Sequence, residues 1–493
     1  QQAYTTTQEK PIILLKSGRS STGKRSAGSH TGALAGISAV AVGAFERAGI
    51  IVVDNSDALF PIAESLASCH PIRNNQVAIL ADGGGHATIA ADILTDLGVQ
   101  LPELSQKTKD RLAALLPPAA SIANPVDVAG GTDADPSLFA DCAEILLKDP
   151  SVGGLLIVGL FGGYGIRFAE SLSLKEEDAA HQMGKMVARG NRPIVLHSLF
   201  NSERPHALEL CRYYNIPVYD SLDVACKCID SLARYGNYLK SYHAKTNFKF
   251  NWGVKSKSEC NQIIANARRQ GRLALLEPEG KQLIACHGGS ITPDQLTRSA
   301  DEAVQAAETF KEPIALKIVS ADILHKSDAG GVKLNLKGKR QIRQAYNQII
   351  NSVQQYDSEA VVEGVLVSPM VRPGVEVIVG TKIDEQFGPI IMYGLGGVMV
   401  EILKDISFRV LPISRLSAKN MILETKSSPI LNGVRGNSPC DKKALVNLLL
   451  MVSELVEAYP DIEEMDLNPV IVHEQGLSIV DARILLKQEC CIS

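Results

Sequence analysis

The chain has 493 residues, of which 45% are hydrophobic and 21% are charged, and its formal net charge is -4. This length exceeds what one hydrophobic core normally supports, so we expect several domains, and the composition excludes a disordered or fibrous protein. The small negative charge gives no general attraction for nucleic acid, and no apolar run is long enough to span a bilayer. We therefore expect neither a nucleic acid nor a membrane partner, and we assign the chain to the cytoplasm.

The first half of the chain alternates short β-branched segments with longer Ala-rich segments. Examples of the apolar segments are PIILLKSG at residues 11–18, QVAILADGGG at 76–85 and VGGLLIVGLFGG at 152–163. This alternation is typical of parallel strands joined by helices, and continuous apolar runs indicate strands buried on both faces. The domains predicted for this half are a partial α/β domain over residues 1–72, with only two clear strands, a second α/β domain over 73–238 and a polar linker over 239–262.

One histidine of the partial domain lies among small residues. His30 is found in SAGSHTGALAG, directly before a predicted helix. Unpaired backbone N–H groups and the positive end of a helix dipole stabilise an added negative charge, so a histidine in this position can carry phosphate. A structural histidine in a turn is the alternative interpretation of this segment alone.

The second α/β domain opens with a strand, a glycine-rich turn and a helix, in ADGGGHATIAADIL. The turn contains Gly83, Gly84 and Gly85, whose backbone N–H groups can point at an anion. Such turns are common in α/β folds, and we interpret the neighbouring His86 as a bystander. Further along, the segment LFGGYG at residues 160–165 either lines a substrate pocket or forms a glycine turn with a packed tyrosine.

From residue 263 onward, closely spaced short strands favour an α+β domain with a mixed or antiparallel sheet over residues 263–493. In LKIVSADILHKSDAGGVKLNL, Lys317 lies on a predicted strand and His325 lies in the following loop. A strand lysine suits nucleotide phosphates as a point charge, and His325 would be in reach of the same phosphates. A lysine that only extends its ammonium group to solvent is the alternative for Lys317.

Near the end of the chain, IEEMDLNPVIV and LSIVDARI form a predicted hairpin that carries oxygen ligands. Strand alternation places Asp466 and Asn468 on one face, and Asp481 can join them across the ladder. Oxygen ligands without cysteine or histidine suit Mg²⁺, which typically bridges substrate phosphates. A solvated turn that carries acids is the alternative interpretation.

Together these segments resemble the family of ADP-forming (NDP-forming) acyl-CoA synthetases, or acetate–CoA ligases, of the succinyl-CoA synthetase superfamily. SGRSSTGKRSAGSHTGALAG is similar to the family's phosphohistidine loop, ADGGGHATIAADIL and NPVDVAGG to its ligase domain, and LKIVSADILHKSDAGGV with EMDLNPVIV and VDARI to its ATP-grasp domain. The resemblance implies an α/β fold of flavodoxin-like succinyl-CoA-ligase domains, followed by an α+β ATP-grasp domain. It also implies ATP or ADP and Mg²⁺ as ligands, with CoA and a small carboxylic acid as substrates.

The resemblance further assigns roles to particular residues. His30 would carry the phosphate, and His325 matches a second histidine that relays phosphate near the nucleotide. The residues that would contact the nucleotide, with the adenine against the backbone at 367–370, are Lys317, Val367, Met370, Glu376 and Glu401. The residues that would hold magnesium are Asp466, Asn468 and Asp481.

The implied activity is the conversion of an acid, CoA and ATP to an acyl-CoA, ADP and phosphate through phosphohistidine. Family members carry a CoA-binding domain and a glutamate ahead of the histidine loop, and this sequence matches neither feature. A separate subunit, a truncated chain or a lost segment would each explain the difference. Contacts between ATP-grasp and ligase domains lead us to expect a homodimer. The alternatives are a CoA-dependent protein lysine acetyltransferase of the same architecture, against which His30 argues, and a non-catalytic nucleotide-binding regulatory protein.

Overall fold

The computed structural model describes residues 2–16, 38–245, 257–310, 313–323, 325–396, 405–433 and 438–488. The chain divides into two compact units. The N-terminal unit comprises residues 1–33 and 45–250, and the C-terminal unit comprises residues 34–44 and 251–493. Two of the predicted site residues, His30 and Glu401, lie outside the described residues.

Over residues 2–16 and 38–245 helices alternate with strands, as the apolar segments predict. The strands are β1 (Ile12–Leu15), β2 (Ile50–Val53), β3 (Val77–Ala81), β4 (Val126–Asp127), β5 (Gly154–Gly159), β6 (Ile194–Ser198) and β7 (Val218–Tyr219). The helices are α1 (Gln2–Thr6), α2 (Ser38–Arg47), α3 (Ser56–Ser68), α4 (Gly84–Asp96), α5 (Gln106–Leu115), α6 (Leu138–Leu147), α7 (Tyr164–Arg167), α8 (Leu172–Arg189), α9 (His206–Tyr213) and α10 (Leu222–Lys245), with a 3-10 turn at Asn201–Glu203.

A five-stranded parallel sheet forms the centre of the N-terminal unit, in the order β4-β3-β5-β6-β7, while β1 and β2 pair separately in parallel. Alternate residues of β5 enter opposite hydrophobic clusters. Leu155 and Ile157 pack with α5, α6, α8 and α9, whereas Leu156 and Val158 pack with α3, α4 and α10. Both faces of the sheet are therefore buried, and the strand order is flavodoxin-like, which confirms the α/β class expected for this part of the chain.

Buried Asp149 fixes the turn that leads from α6 into β5. Its carboxylate accepts hydrogen bonds from the Ser105 N–H at 2.9 Å, the Thr108 hydroxyl at 2.7 Å, and the N–H and hydroxyl of Ser151 at 2.9 and 2.7 Å. Burial by itself raises the pKa of Asp149, but these donors outweigh it and hold the pKa well below its usual range. One carboxylate thus joins the start of α5 to the strand β5.

The C-terminal unit contains longer strands, and these strands pair antiparallel. Its strands are β8 (Gln295–Thr297), β9 (Ile314–Val319), β10 (Val332–Leu336), β11 (Gly364–Pro369), β12 (Val375–Asp384), β13 (Gly388–Leu395), β14 (Ile406–Val410), β15 (Ile462–Val472), β16 (Leu477–Ile479) and β17 (Arg483–Leu486). Its helices are α11 (Ser258–Arg269), α12 (Glu277–Cys286), α13 (Ala300–Phe310), α14 (Gly338–Tyr356), α15 (Arg415–Leu423) and α16 (Lys442–Ala458), with a 3-10 turn at Ser428–Asn432.

Two antiparallel sheets organise these elements. One has the order β10-β9-β11-β8 and packs against α13 and α14. The other has the order β14-β13-β12-β15-β16, with β17 also paired to β15, and packs against α11, α12, α15 and α16. This arrangement confirms the expected α+β class. No helix in the described ranges is long and apolar enough to cross a membrane.

Two local features differ from the sequence interpretation. Helix α10 continues to Lys245 and α11 begins at Ser258, so helical structure reaches into both ends of the predicted linker at 239–262. Asp481 lies in the connection between β16 and β17 rather than on a strand, because both short strands pair with β15 and the chain turns between them. Asp466 and Asn468 lie on β15, as expected.

We expect Asp149→Asn to lower the free energy of unfolding by about 2 kcal/mol at pH 7, because the charge-assisted hydrogen bonds are lost. The folded-state pKa lies below the unfolded value, so this stabilisation is full above the unfolded pKa of about 3.9 and is lost as the pH falls through the folded pKa. The difference between wild type and Asp149→Asn in urea unfolding should therefore shrink between neutral and acid pH.

The matched control is Asp92→Asn, which alters an exposed carboxylate on α4. This control should change the free energy of unfolding by less than about 0.5 kcal/mol. Equal losses in the two variants, or a difference that does not depend on pH, would contradict the role given to Asp149.

Candidate active site

A pocket of about 390 Å³ lies in the C-terminal unit, beside the end of β9 and the middle of β15. It brings together four of the residues selected from the sequence, which are His325, Asp466, Asn468 and Asp481. Glu277, Lys326 and Arg483 also line it. The pocket therefore combines carboxylates, cations and an exposed imidazole from segments that are far apart in the chain.

Glu277, the first residue of α12, is the buried centre of the charges beside this pocket. It is 4% exposed, and its carboxylate lies 3.0 Å from the ammonium group of Lys281, 2.9 Å from that of Lys317 and in contact with that of Lys326. Burial alone raises the pKa of Glu277, yet attraction to Lys317, Lys326 and Lys281 outweighs it and holds the pKa well below its usual range. Glu277 is thus ionised.

The same lysines have two further acidic partners. Lys281 contacts Asp294, and Lys326 donates to both carboxylate oxygens of Asp481, at 2.9 and 3.0 Å. Three carboxylates therefore face three ammonium groups, and the network is electrically balanced. Such a balance is what allows charges to be buried, because an unpaired buried charge costs several kcal/mol.

Lys317 is buried on β9 and does not extend to solvent, so the alternative given for it above is wrong. Its ammonium group donates to Glu277 at 2.9 Å and to the Val480 carbonyl oxygen at 2.7 Å, and it lies 3.8 Å from Asp481. Lys317 is not among the residues that line the pocket. In the described structure it acts on the pocket through Glu277 and Asp481.

The loop that carries His325 is held against β9 by glycine. The Gly331 N–H donates to the Lys326 carbonyl at 2.7 Å, and the Ile318 N–H donates to the Gly331 carbonyl at 2.8 Å. A Cβ atom at Gly331 would lie only 2.5 Å from Cγ2 of Ile318 and 2.9 Å from the Lys326 carbonyl oxygen. Only glycine permits this close approach, which places Lys326 over Glu277 and leaves His325 exposed at the pocket.

Asp466, Asn468 and Asp481 are the candidate metal ligands. Burial raises the pKa of Asp466 above its usual value, and the negative charge of Asp481 raises this pKa further. The positive charge of Arg483 lowers it but does not cancel the rise. A cation would stabilise such a carboxylate, and three oxygen-bearing side chains fit Mg²⁺. Within the described ranges no group of three or more His, Cys, Asp or Glu could hold a metal, so phosphate and water would have to complete this coordination.

Of the other predicted nucleotide contacts within the described residues, Val367, Met370 and Glu376 do not line this pocket. The side chain of Val367 is buried in β11, between β9 and β8. The Met370 N–H donates to the Pro313 carbonyl at 2.8 Å. Glu376 is exposed near the start of β12. The structure therefore gathers the metal residues and His325, but not the predicted adenine contacts.

In the N-terminal unit the glycine-rich turn lies at the carboxyl end of β3. Gly83 is the N-cap of α4, and no side chain in the described part of the chain caps this helix. A Cβ atom at Gly83 or Gly85 would meet nothing within 4 Å, whereas one at Gly84 would lie 3.2 Å from Oδ2 of Asp127. The turn is therefore open, as an anion site requires, and Asp127 borders it.

Two carboxylates near this turn escaped the sequence analysis, half-buried Asp82 and buried Glu176. Asp82 accepts hydrogen bonds from the Leu160 N–H at 2.6 Å and the Tyr164 hydroxyl at 3.1 Å, and Glu176 accepts from three N–H groups of the same loop at 2.6, 3.1 and 3.1 Å. Tyr164 is fully buried, so LFGGYG is a glycine turn with a packed tyrosine. The sequence offers a signal for Asp82, because this residue directly follows a buried strand. It offers none for Glu176, which has the sequence pattern of a solvent-exposed charge on a helix.

The chain matches three domain families. Residues 266–486 match the ATP-grasp domain, residues 77–221 match the ligase-CoA domain, and residues 1–66 match the succinyl-CoA ligase like flavodoxin domain. The first of these matches contains the whole pocket described above.

Three relatives illustrate the similarity over longer stretches. An ADP-forming acetate–CoA ligase I of Archaeoglobus fulgidus is 35% identical over 489 residues, which are 99% of this chain and 68% of that protein. An ADP-forming 4-hydroxybutyrate–CoA ligase of Nitrosopumilus maritimus is 32% identical over 479 residues, 97% of this chain and 66% of that protein. The β subunit of an ADP-forming acetate–CoA ligase II of Pyrococcus furiosus is 46% identical over 234 residues, 47% of this chain and 99% of that subunit. The chain thus spans about two thirds of the length of the first two.

Replacing Glu277 with glutamine should lower the free energy of unfolding by roughly 3 kcal/mol, because buried lysines lose their shared counter-charge. Urea unfolding of the full chain measures this loss. The control Glu463→Gln removes an exposed carboxylate from β15 and should have little effect. If Glu277→Gln destabilised the protein no more than Glu463→Gln, the network would not have the role assigned to it.

Proposed function

The chain belongs to the family of ADP-forming acyl-CoA ligases, and we propose an activity for it on that basis. The proposed reaction reversibly converts a carboxylic acid, CoA and ATP to an acyl-CoA, ADP and phosphate. The observation that carries this proposal is the pocket in which His325, Lys326 and the carboxylates of Asp466 and Asp481 meet. One of the relatives is a ligase for acetate and another is a ligase for 4-hydroxybutyrate. We therefore propose a small carboxylic acid and name no particular one.

The pocket is proposed to hold ATP or ADP together with Mg²⁺. Asp466, Asn468 and Asp481 would hold the ion, which when bound would neutralise phosphate charge. Lys326 offers a fixed positive charge on the same wall, because Glu277 and Asp481 both hold its ammonium group. The further contacts proposed for the nucleotide are Lys317, Val367, Met370, Glu376 and Glu401.

His30 is proposed to carry the phosphoryl group between the two half-reactions. The neutral imidazole of His325 would attack the γ-phosphorus while the bond to the ADP oxygen breaks. His30 would then attack the same phosphorus while the N–P bond to His325 breaks, so the phosphoryl group would keep a high transfer potential. The carboxylate of the acid would then take the phosphoryl group, and attack by the CoA thiol on the acyl phosphate would release phosphate. His325 would relay the group near the nucleotide, and the open turn at Gly83–Gly85 would offer N–H groups to an anion.

CoA and the acid are the small-molecule partners in this proposal. We also propose that the working protein is a homo-oligomer, with a dimer as the simplest form.

The test is to incubate the full chain with Mg²⁺ and ATP labelled on the γ-phosphate, and then to assay acid-labile, base-stable label on the protein. Wild type should become labelled at His30, and His30→Ala should lose the label at that position because its acceptor nitrogen is gone. His325→Ala should label His30 more slowly, because the relay between the nucleotide and His30 is lost. Peptide mapping by mass spectrometry then locates the phosphoryl group.

A suitable control is His206→Ala, which changes a histidine of α9 and should label like wild type. An unlabelled wild-type protein, or labelling of His30 that is equally fast in wild type and His325→Ala, would contradict the proposal. Nucleotide binding without any label would favour the regulatory protein instead.

A further inference from the structure

A second cavity lies in the N-terminal unit, at the edge of the parallel sheet where β3, β5 and β6 begin. Its volume is about 650 Å³, within the range of about 300–1,000 Å³ for small-molecule sites. The segments at 70–74, 152–153 and 191–192 line it, and each immediately precedes one of these strands. The glycine-rich turn lies at the opposite edge of the sheet, and the reaction proposed above uses none of the residues in this cavity.

Three cationic side chains and one histidine face this cavity, and they are Arg73, Arg192, Lys240 and His70. Among the described residues, no Asp or Glu lines the cavity, and Arg73 and Lys240 form no ion pair. Positive charges that surround a concave surface without counter-charges raise its potential and attract anions. The cavity is therefore suited to a negatively charged ligand.

Arg192 is held in place on one side of the cavity. Its NH1 group donates to the carbonyl oxygens of Leu147 at 2.6 Å and Asp149 at 2.5 Å. The structure gives its Nε and NH2 groups no hydrogen-bond partner within the described part of the chain. Nearby, a Cβ atom at Gly153 would lie 1.8 Å from Oδ1 of Asn74, so glycine is required where these two segments meet.

Lys240 reaches the cavity because α10 lies close to the segment at 70–74. A Cβ atom at Gly236 would lie 2.2 Å from the Ile72 carbonyl oxygen, and the Ile72 N–H donates to the Leu232 carbonyl at 3.1 Å. Lys240 is four residues beyond Gly236 and thus on the same face of the helix. Close packing of the helix therefore brings this cation to the cavity that Arg192 also lines.

We propose that this cavity binds a small phosphorylated molecule of about nucleotide size, at a site separate from the pocket in the C-terminal unit. Arginine binds phosphate through paired N–H groups, and lysine binds it as a point charge. Pro71 and Gly153 add apolar surface for an organic portion. The volume is larger than a lone phosphate ion needs, so the ligand carries both a phosphorylated and an apolar part.

The test measures protection of Lys240 by ligand in the full chain. An amine-specific reagent labels the protein in the presence of inorganic pyrophosphate, ADP or neither, and mass spectrometry gives the extent of labelling at Lys240 and at Lys185, an exposed lysine of α8. Both probes should slow labelling of Lys240 several-fold and leave Lys185 unchanged. Because the readout is local, ADP bound elsewhere does not contribute.

A substitution adds a second, independent measurement. Arg73→Gln should raise the ADP concentration that half-protects Lys240 by about tenfold, since one charged hydrogen-bond donor is lost. Arg189→Gln removes an equal charge from α8 and should leave that concentration unchanged. Labelling of Lys240 that no probe affects, protection by pyrophosphate alone, or equal behaviour of the two variants would each overturn the proposal.

Discussion

The contact of one buried carboxylate with three ammonium groups determines the candidate active site. Glu277 begins α12, and the lysines that it holds come from the same helix, from β9 and from the loop after β9. Asp481 then joins Lys326 to the connection between β16 and β17. Replacing such a network with apolar residues is often neutral for stability, so what it supplies is a fixed arrangement of charges at one pocket.

Two carboxylates of the N-terminal unit also hold a loop in place, but with different partners. Glu176 is buried and Asp82 is half-buried, but backbone N–H groups and a tyrosine hydroxyl satisfy them in place of lysines. These bonds fix the loop at residues 160–165 near the carboxyl edge of the sheet, close to the glycine-rich turn. The cavity at the opposite edge of the sheet is lined by several cationic side chains and, among the described residues, by no Asp or Glu. The two edges of one sheet therefore offer chemically different surfaces.

Much of this arrangement could be predicted from the sequence because it depends on local patterns. Apolar runs identified buried strands such as β5, and alternation placed Asp466 and Asn468 on one strand. Glu277 could not be predicted: it lies 40 residues before Lys317 and 49 before Lys326, and a glutamate that opens a helix is usually explained by the helix itself. The burial of Tyr164 and the helical ends of the linker likewise depend on tertiary packing, which no short segment reveals.

We propose that Asp481, which pairs with Lys326 in this structure, also binds a nucleotide-bound Mg²⁺. The most direct test is calorimetric titration of the full chain with ADP, with and without Mg²⁺, for wild type, Asp481→Asn and the control Glu463→Gln. We expect Mg²⁺ to strengthen ADP binding by about tenfold or more in wild type and in the control, and to have little effect in Asp481→Asn, where a charged ligand is lost. The same dependence on Mg²⁺ in all three proteins would contradict this role of Asp481.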